Sequence, residues 1–420
     1  KKKNLCELNT LFKRRKVLML RLVIIVVVVE RIRCATPDLS IEWRLAKLRS
    51  VESWIANSED ADISSVMVQS EASKDEVGLY LSRDLKAGER AVTIPRSLCL
   101  TARDAPSWAI ESTELSLGAK VAARLLAERR KGSISRFYVW LSSLPAYLDA
   151  PVAWSDNEAA MLQGSRAFRA RRDIRDEWRT ETRILNAKAE PRIDFESEYV
   201  WARLIVASRS YELPEGLGPV LAPWLDLANH DDECFLALDI DRGPSTGVIF
   251  ALVNEGEIKK KGQPVTANYC GGRPMDPLKA LDIFGWLVNN RADFCRIRSN
   301  IYRLGDPLDA IFATLSPLSV LSEANRLLQL LDDASFQREQ AERDLLLTQV
   351  KQSTASSTIT KTNTALPLTN RIAMAKSVVQ GERRALLALI HAVQEHIRIY
   401  GDDVSSSSSP PTVRANFYEL

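Results

Sequence analysis

The chain has 420 residues, and its 57 lysines and arginines nearly cancel 54 aspartates and glutamates, for a formal net charge of +3. This length exceeds what one hydrophobic core usually fills, so we expect two domains. The near balance of charge gives no global field that would favour a nucleic acid as the direct partner. Six cysteines without a C-x-x-C pair and only three histidines, His230, His391 and His396, predict no metal site.

The first 37 residues differ in composition from the rest. Four basic residues at 13–16 precede a largely apolar run at 17–29, which Arg21 interrupts. A membrane-spanning helix needs about 20 residues and a signal-peptide core about 7 to 15, so the run suits a targeting segment for the plastid or the secretory pathway. A buried strand and a short anchor stay open, and we expect membrane contact only if residues 17–29 act as an anchor. Without targeting, the expected compartment is the cytoplasm.

The predicted elements change in type along the chain. Apolar positions recur at helical spacing over 41–55, and a β-rich region begins near Val66. Further predicted elements are strands at 78–81 and 91–94, helices at 115–129 and 197–210, a turn at 241–245, and helices at 307–315, 323–350 and 366–400. Asp306 is a start signal for the helix at 307–315. The basic stretch 166–183 is interspersed with acids and predicts a solvated helix with pairs at helical spacing. Residues 352–363 read as a loop.

Two short motifs carry the chemistry. Asp226-Leu227-Ala228-Asn229-His230 ends an apolar stretch, and Val265-Thr266-Ala267-Asn268-Tyr269 follows it. An Asn-His pair on a loop and a Tyr at a strand end can hold a charged cofactor and orient a nucleophile. Singly, such motifs are common, because a Tyr that closes a strand is more often a core residue. Their context decides their meaning.

Other motifs stand around them in a fixed order. They are Gly78-Leu79-Tyr80-Leu81, Val92-Thr93-Ile94-Pro95, Arg136-Phe137-Tyr138-Val139-Trp140-Leu141, Leu162-Gln163-Gly164-Ser165, Ser208-Arg209-Ser210-Tyr211 and Phe284-Gly285-Trp286. Over residues 76–290 this series resembles the SET-domain methyltransferases. It is similar in particular to the class that includes the Rubisco large-subunit lysine methyltransferases and the actin histidine methyltransferase.

The resemblance implies an α+β fold. Residues 41–298 would form a β-rich SET domain with a helical insertion and a pseudoknot, in which the segment near Tyr269 passes beneath the Asn229-His230 loop. Residues 299–403 would form an all-α domain that resembles the substrate-binding domain of this class, and 404–420 a flexible tail. Leu and Ala at helical spacing pack any helical bundle, so the second assignment depends on the SET motifs before it.

The resemblance also implies a function, that of an S-adenosylmethionine-dependent protein-lysine N-methyltransferase acting on a non-histone protein. Tyr269 would be the catalytic residue, Tyr211 a wall of the substrate channel, and no metal would take part. The cofactor would be bound by Asp75, Glu76, Val77, Arg209, Asp226, Asn229, His230 and Phe284. A guanidinium suits the methionine carboxylate because the two pair in a fork. The expected partner is the lysine side chain of a protein, and the expected oligomeric state is a monomer.

Two alternatives stay open. An aromatic wall at Tyr211 favours an aliphatic or ammonium chain, so we prefer lysine to histidine as the methyl acceptor. Glu76 stands where the family usually has a glycine, and Phe284 where many members have a second tyrosine. These departures allow a catalytically silent, partner-binding SET-like protein as the second alternative.

Overall fold

The computed structural model describes residues 41–71, 76–213, 218–231, 233–234, 236–243, 247–254, 256–269, 280–284, 294–298, 300–304, 306–355 and 368–400. The predictions for residues 1–37 and 404–420 lie outside these ranges. No helix in the described residues is long and apolar enough to cross a membrane.

Helices dominate both ends of the described chain. They are α1 (Ile41–Ala56), α2 (Ser107–Ile110), α3 (Leu117–Arg130), α4 (Tyr138–Leu141), α5 (Asp156–Ala159), α6 (Arg166–Asn186), α7 (Val200–Arg209), α8 (Asp309–Phe312), α9 (Pro317–Asp333), α10 (Ser335–Ala355) and α11 (Leu368–Tyr400). Local sequence explains several of these bounds. Ser116 accepts the Ala119 N–H at 3.1 Å and begins α3, and Ser165 accepts the Phe168 N–H at 3.3 Å and begins α6, as N-cap serines do.

The strands lie mainly between these helical regions. They are β1 (Val66–Glu71), β2 (Glu76–Leu81), β3 (Arg90–Pro95), β4 (Leu100–Thr101), β5 (Tyr211–Leu213), β6 (Gly218–Leu221), β7 (Asn229–His230), β8 (Leu236–Gly243), β9 (Gly247–Asn254), β10 (Pro264–Ala267), β11 (Phe294–Ile297) and β12 (Asn300–Arg303). The largest sheet has the order β1-β2-β10-β8-β9-β3, with β7 also paired to β10. A second sheet has the order β4-β6-β5, and β11 and β12 form a hairpin.

Strand β10 joins the two motif segments. It runs antiparallel to β2, where Pro264 lies opposite Tyr80. It runs parallel to β7, where Thr266 lies opposite Asn229 and Ala267 opposite His230. The Asn-His segment and the segment before Tyr269 are therefore side by side, as the pseudoknot arrangement requires.

The buried apolar residues form a main cluster and two smaller ones. The main cluster spans Val51 to Ala267 and includes residues of the large sheet, α3 and α7. A second cluster joins β11 to α9 and α11, from Cys295 to Val393. The third packs Trp154 and Leu281 against Ile372 of α11. The domain boundaries given above stay a prediction.

Several predicted elements are confirmed, with small shifts. The helix at 41–55 is α1, whose buried Leu48, Val51 and Ile55 follow helical spacing. The helices at 115–129 and 366–400 are α3 and α11. The predicted strands fall within β2 and β3. Of the predicted turn, residues 241–243 belong to β8 instead, and 244–245 lie outside the described residues.

Three predictions about helices were wrong in part. The expected single helix at 323–350 is two, α9 and α10, because the chain breaks at Ala334, and α10 continues to Ala355, into the expected loop. The helix expected at 307–315 is only α8. Asp306 does not begin it, because its carboxylate accepts the Arg303 N–H at 2.8 Å and closes the turn after β12.

The third error concerns α6, which is helical but not simply solvated. Arg171 and Arg175 are buried on one of its faces. Arg171 donates to the Trp154 carbonyl at 2.7 Å, and Arg175 donates to the Val152 carbonyl at 3.0 Å. These arginines supply donors to buried carbonyl groups, which otherwise carry a desolvation penalty.

Candidate active site

Tyr269 is held against the Asn-His segment at two points. Its hydroxyl donates to the Ala228 carbonyl at 2.8 Å, and its backbone N–H donates to His230 Nδ1 at 3.2 Å. The two rings lie 5.1 Å apart, centroid to centroid. A phenol can donate one hydrogen bond and also carries acceptor lone pairs on its oxygen. The contacts to Ala228 and His230 thus fix the position of the Tyr269 ring and hydroxyl.

Tyr211 lies beside this arrangement at the start of β5. Its hydroxyl donates to the Leu225 carbonyl at 2.9 Å. Burial raises the pKa of Tyr211 well above its ordinary value, and the nearby Tyr269 and Asp226 act in the same direction. The Tyr211 phenol therefore stays protonated over the physiological range and serves as a polar-edged aromatic wall rather than as a base.

Asp226 and Arg209 form a pair next to Tyr211. Nη1 of Arg209 donates to the Asp226 carbonyl at 3.2 Å and to its carboxylate oxygen Oδ2 at 3.4 Å, and Trp140 Nε1 also reaches Oδ2 at 3.4 Å. The Asp226 side chain is only 2% exposed, whereas that of Arg209 is 26% exposed. Burial raises the pKa of Asp226 against the lowering effects of Arg209 and Trp140.

Asn229 presents its side chain to solvent above strand β2. A Cβ atom placed on Gly78 would lie 2.8 Å from Asn229 Nδ2, closer than real Cβ contacts allow. The amide of Asn229 therefore occupies space that only a glycine at position 78 leaves open. Val77, which precedes Gly78, is half-buried and lies opposite Ser70 of β1.

The structure thus brings together Arg209, Tyr211, Asp226, Asn229, His230 and Tyr269 of the predicted set, and Val77 lies next to Gly78 in β2. Asp75 lies outside the described residues, as do the side chains of Glu76 and Phe284. The structure gives Arg209 an internal partner, Asp226, that the sequence did not indicate. Within the described residues its Nε and Nη2 make no hydrogen bond, so the guanidinium keeps donors for a ligand.

Sequence reasoning missed three residues that shape this site. Trp140 donates to Asp226, Ala228 supplies the carbonyl for Tyr269, and Gly78 makes room for Asn229. Gly78 had a usable signal, because it follows Glu76 by two positions in a segment already assigned to the cofactor. Trp140 and Ala228 lie within the sequence motifs, but their roles depend on contacts between segments that are distant in sequence, which a motif does not reveal.

Comparisons with known proteins agree with this geometry. SET domain-containing protein 4 of Artemia parthenogenetica is 27% identical over 170 residues, which is 36% of this chain and 42% of that protein. The chloroplastic [fructose-bisphosphate aldolase]-lysine N-methyltransferase of Arabidopsis thaliana is 28% identical over 165 residues, 37% of this chain and 34% of that protein. The chain thus matches less than half the length of these curated relatives. No protein-family model matches it.

Solved structures match over a larger part. The SET domain of LSMT bound to lysine and AdoHcy has a TM-score of 0.60 at 15% identity, over 85% of this chain and 92% of that one. Rubisco LSMT bound to AdoMet has a TM-score of 0.56 at 15% identity, over 83% and 92%. The chain has the SET fold with a helical region after it, and its relatives are SET-domain proteins that include Rubisco LSMT. The predicted fold class is confirmed.

Proposed function

We propose that this protein is an S-adenosylmethionine-dependent protein-lysine N-methyltransferase that acts on a non-histone protein. The observation that carries the proposal is the Tyr269 hydroxyl, oriented by the Ala228 carbonyl beside the Asn229–His230 strand. Relatives named as lysine N-methyltransferases, in Arabidopsis thaliana and Nicotiana tabacum, support the same activity. Both are named as chloroplastic, which supports the plastid alternative for the compartment.

The side chains present fit the proposed cofactor. S-adenosylmethionine carries a carboxylate, an ammonium group and an adenosyl group, and it supplies an electrophilic methyl group on its sulfonium. Arg209 is partly exposed, and its Nε and Nη2, which make no hydrogen bond within the described residues, can donate to a carboxylate. The Asn229 amide is exposed above Gly78 and offers both a donor and an acceptor. The ion pair with Asp226 lowers the desolvation cost of the Arg209 charge beside the Tyr211 ring.

The acceptor amine needs orientation and the loss of its proton. The phenol oxygen of Tyr269 can accept an N–H and thereby point the lone pair of the nitrogen, because its own proton is engaged by Ala228. A free lysine has a pKa of about 10.4, and a site that removes water disfavours its charged form. The half-buried Tyr211 ring, which packs against the main apolar cluster, contributes to that removal. These residues therefore act by positioning and desolvation.

A lysine acceptor fits the wall better than histidine. Tyr211 keeps an aromatic ring beside Tyr269, and an aromatic surface attracts an ammonium or methylammonium group. Histidine methylation stays the alternative within the enzyme class. A silent SET-like protein is the alternative outside it.

Two measurements on the full chain test the proposal. Calorimetric titration with S-adenosylmethionine should show binding, and Asn229→Ala should weaken it. Transfer of labelled methyl groups to lysine-containing protein should then fall by about a hundredfold or more in Tyr269→Phe, with cofactor affinity retained. Binding without transfer to any protein, in wild type and Tyr269→Phe alike, would favour the silent protein. No binding by either the wild type or Asn229→Ala would contradict the cofactor assignment itself.

A further inference from the structure

A cleft outside the candidate active site lies between α6 and the chain that follows it. Its volume is about 780 Å³, and its lining includes Asp176, Arg179, Arg183, Arg192 and Phe195. None of the residues assigned above to the cofactor or the acceptor lines it. Three arginines and one aspartate thus line a depression of the helical insertion. We refer to it as the arginine cleft.

The backbone of the arginine cleft is held in place from two sides. Asn186, at the end of α6, donates to the Ile193 carbonyl at 2.9 Å and accepts the Ile193 N–H at 2.7 Å. From α3, Arg130 donates to the carbonyls of Pro191 at 2.7 Å and Arg192 at 2.9 Å. Arg192 is therefore presented by a fixed loop, which lowers the ordering cost of binding a partner there.

The three arginines of the cleft differ in their partners within the described residues. Arg179 pairs with Asp176 at 2.9 Å. Arg183 instead donates to the Thr180 hydroxyl at 2.8 Å, and among the described residues neither Arg183 nor Arg192 forms an ion pair with a carboxylate. Both side chains are exposed. Within the part of the chain that the structure describes, the cleft therefore carries positive charge on Arg183 and Arg192 that no carboxylate pairs with.

The wall of the arginine cleft is aromatic. Phe195 is half-buried, and the guanidinium groups of Arg175 and Arg179 lie 5.0 and 5.1 Å from the centre of its ring. Both guanidinium groups are within the distance of a cation–π contact with the ring. The cleft thus offers an apolar surface with positive charge at its edge, a combination that fits a peptide carrying an apolar side chain flanked by carboxylates.

We propose that the arginine cleft is a docking site for an acidic segment of a partner protein. A nucleic acid fits less well, because only three arginines of the described residues line the cleft and the near balance of charge over the chain provides no extended basic surface for a chain of phosphates. The docking site stands independently of the methyltransferase proposal. If that proposal also holds, an acidic segment near the target lysine would lower the KM for the protein substrate.

Fluorescence anisotropy with the full chain and no cofactor tests the docking site by itself. The probe is a labelled peptide with glutamates on both sides of a phenylalanine, compared with the same peptide carrying glutamines and with a single-stranded oligonucleotide. We expect the acidic peptide to bind most tightly and its affinity to fall with rising salt. Equal affinity for the neutral peptide, or tighter binding of the oligonucleotide, would overturn the proposal.

Two variants of the full chain test whether the acidic peptide binds in the arginine cleft. The double change Arg183→Gln and Arg192→Gln should weaken binding of the acidic peptide by about tenfold, since each exposed charge contributes modestly. Arg172→Gln is the matched control, because Arg172 lies on the same helix, pairs with Asp173 and does not line the cleft. An unchanged double variant, or an equal loss in the control, would also overturn the proposal. Equal melting temperatures of the three proteins show that folding is unaffected.

Discussion

Gly78 contacts the side chain of Asn229, and the substitution Gly78→Ala should therefore weaken cofactor binding with little change in stability. The new Cβ would lie 2.8 Å from Asn229 Nδ2 and 3.6 Å from Cγ, while the ring carbon of Tyr80 is at 3.9 Å, an ordinary contact. The atom that must give way is thus the end of an exposed side chain, not the backbone. Asn229 can rotate into solvent, and the fold can keep its geometry.

The expected magnitudes follow from that contact. A displaced Asn229 amide loses a hydrogen bond to the cofactor, worth about 1.4 kcal/mol or a tenfold rise in Kd. Gly78 does not have positive φ and lies in β2. Alanine there restricts the unfolded chain, which offsets the crowding. We expect the free energy of unfolding to change by less than about 1 kcal/mol.

Calorimetric titration with S-adenosylmethionine and urea unfolding measure the two quantities on the same samples. Gly256→Ala is the matched control, because the nearest atom to its new Cβ is Asn254 Oδ1 at 3.7 Å. It should leave both the affinity and the stability unchanged. A wild-type Kd in Gly78→Ala, or a loss of stability that accounts for the weaker binding, would refute the assigned role of Asn229.

Three further predictions concern charge, pH and acceptor choice. Arg371 is buried among acidic side chains of the helical insertion, so Arg371→Met should lower the free energy of urea unfolding by about 3 kcal/mol. Arg383→Met changes an exposed ion pair and should lower it by less than about 1 kcal/mol. Equal losses in the two variants would contradict this. Burial raises the pKa of Glu158, but hydrogen bonds from Ser155 and the charge of Arg371 outweigh it and hold this pKa below 4.5. Ionised Glu158 thus stabilises the folded protein above pH 4.5, and this stabilisation is lost as the pH falls through the lower pKa of the folded state. Glu158→Gln should flatten this part of the curve of unfolding free energy against pH. An unchanged slope would refute the pairing with Arg371. Tyr211→Asn should shift the ratio of kcat/KM for lysine and histidine peptides towards histidine, while Tyr211→Phe should not. An unchanged ratio in Tyr211→Asn would contradict the proposal that the aromatic ring of Tyr211 selects lysine.

Local patterns predicted the helices best where one face is buried and the ends have clear signals. Helix α1 follows from the spacing of Leu48, Val51 and Ile55. The sequence carries no signal for the break at Ala334, because alanine is a good helix former. In this structure Ala334 is buried, and its Cβ would lie 2.9 Å from a Cβ on Gly164.

The sequence by itself determined which segments carry the candidate chemistry: the Asn229-His230 pair, Tyr269, Arg209 and Tyr211, all identified through motif order and family resemblance. Tertiary structure decided their partners. Strand β10 places Thr266 beside Asn229, and Asp226 accepts a hydrogen bond from Arg209. Gly78 leaves room for the Asn229 amide. Such contacts join residues far apart in the chain, and neither periodicity nor propensity contains information about them. The same limit applies to the buried Arg171 and Arg175. The sequence predicts an exposed position for an arginine, and only the fold shows the carbonyl groups that accept its hydrogen bonds.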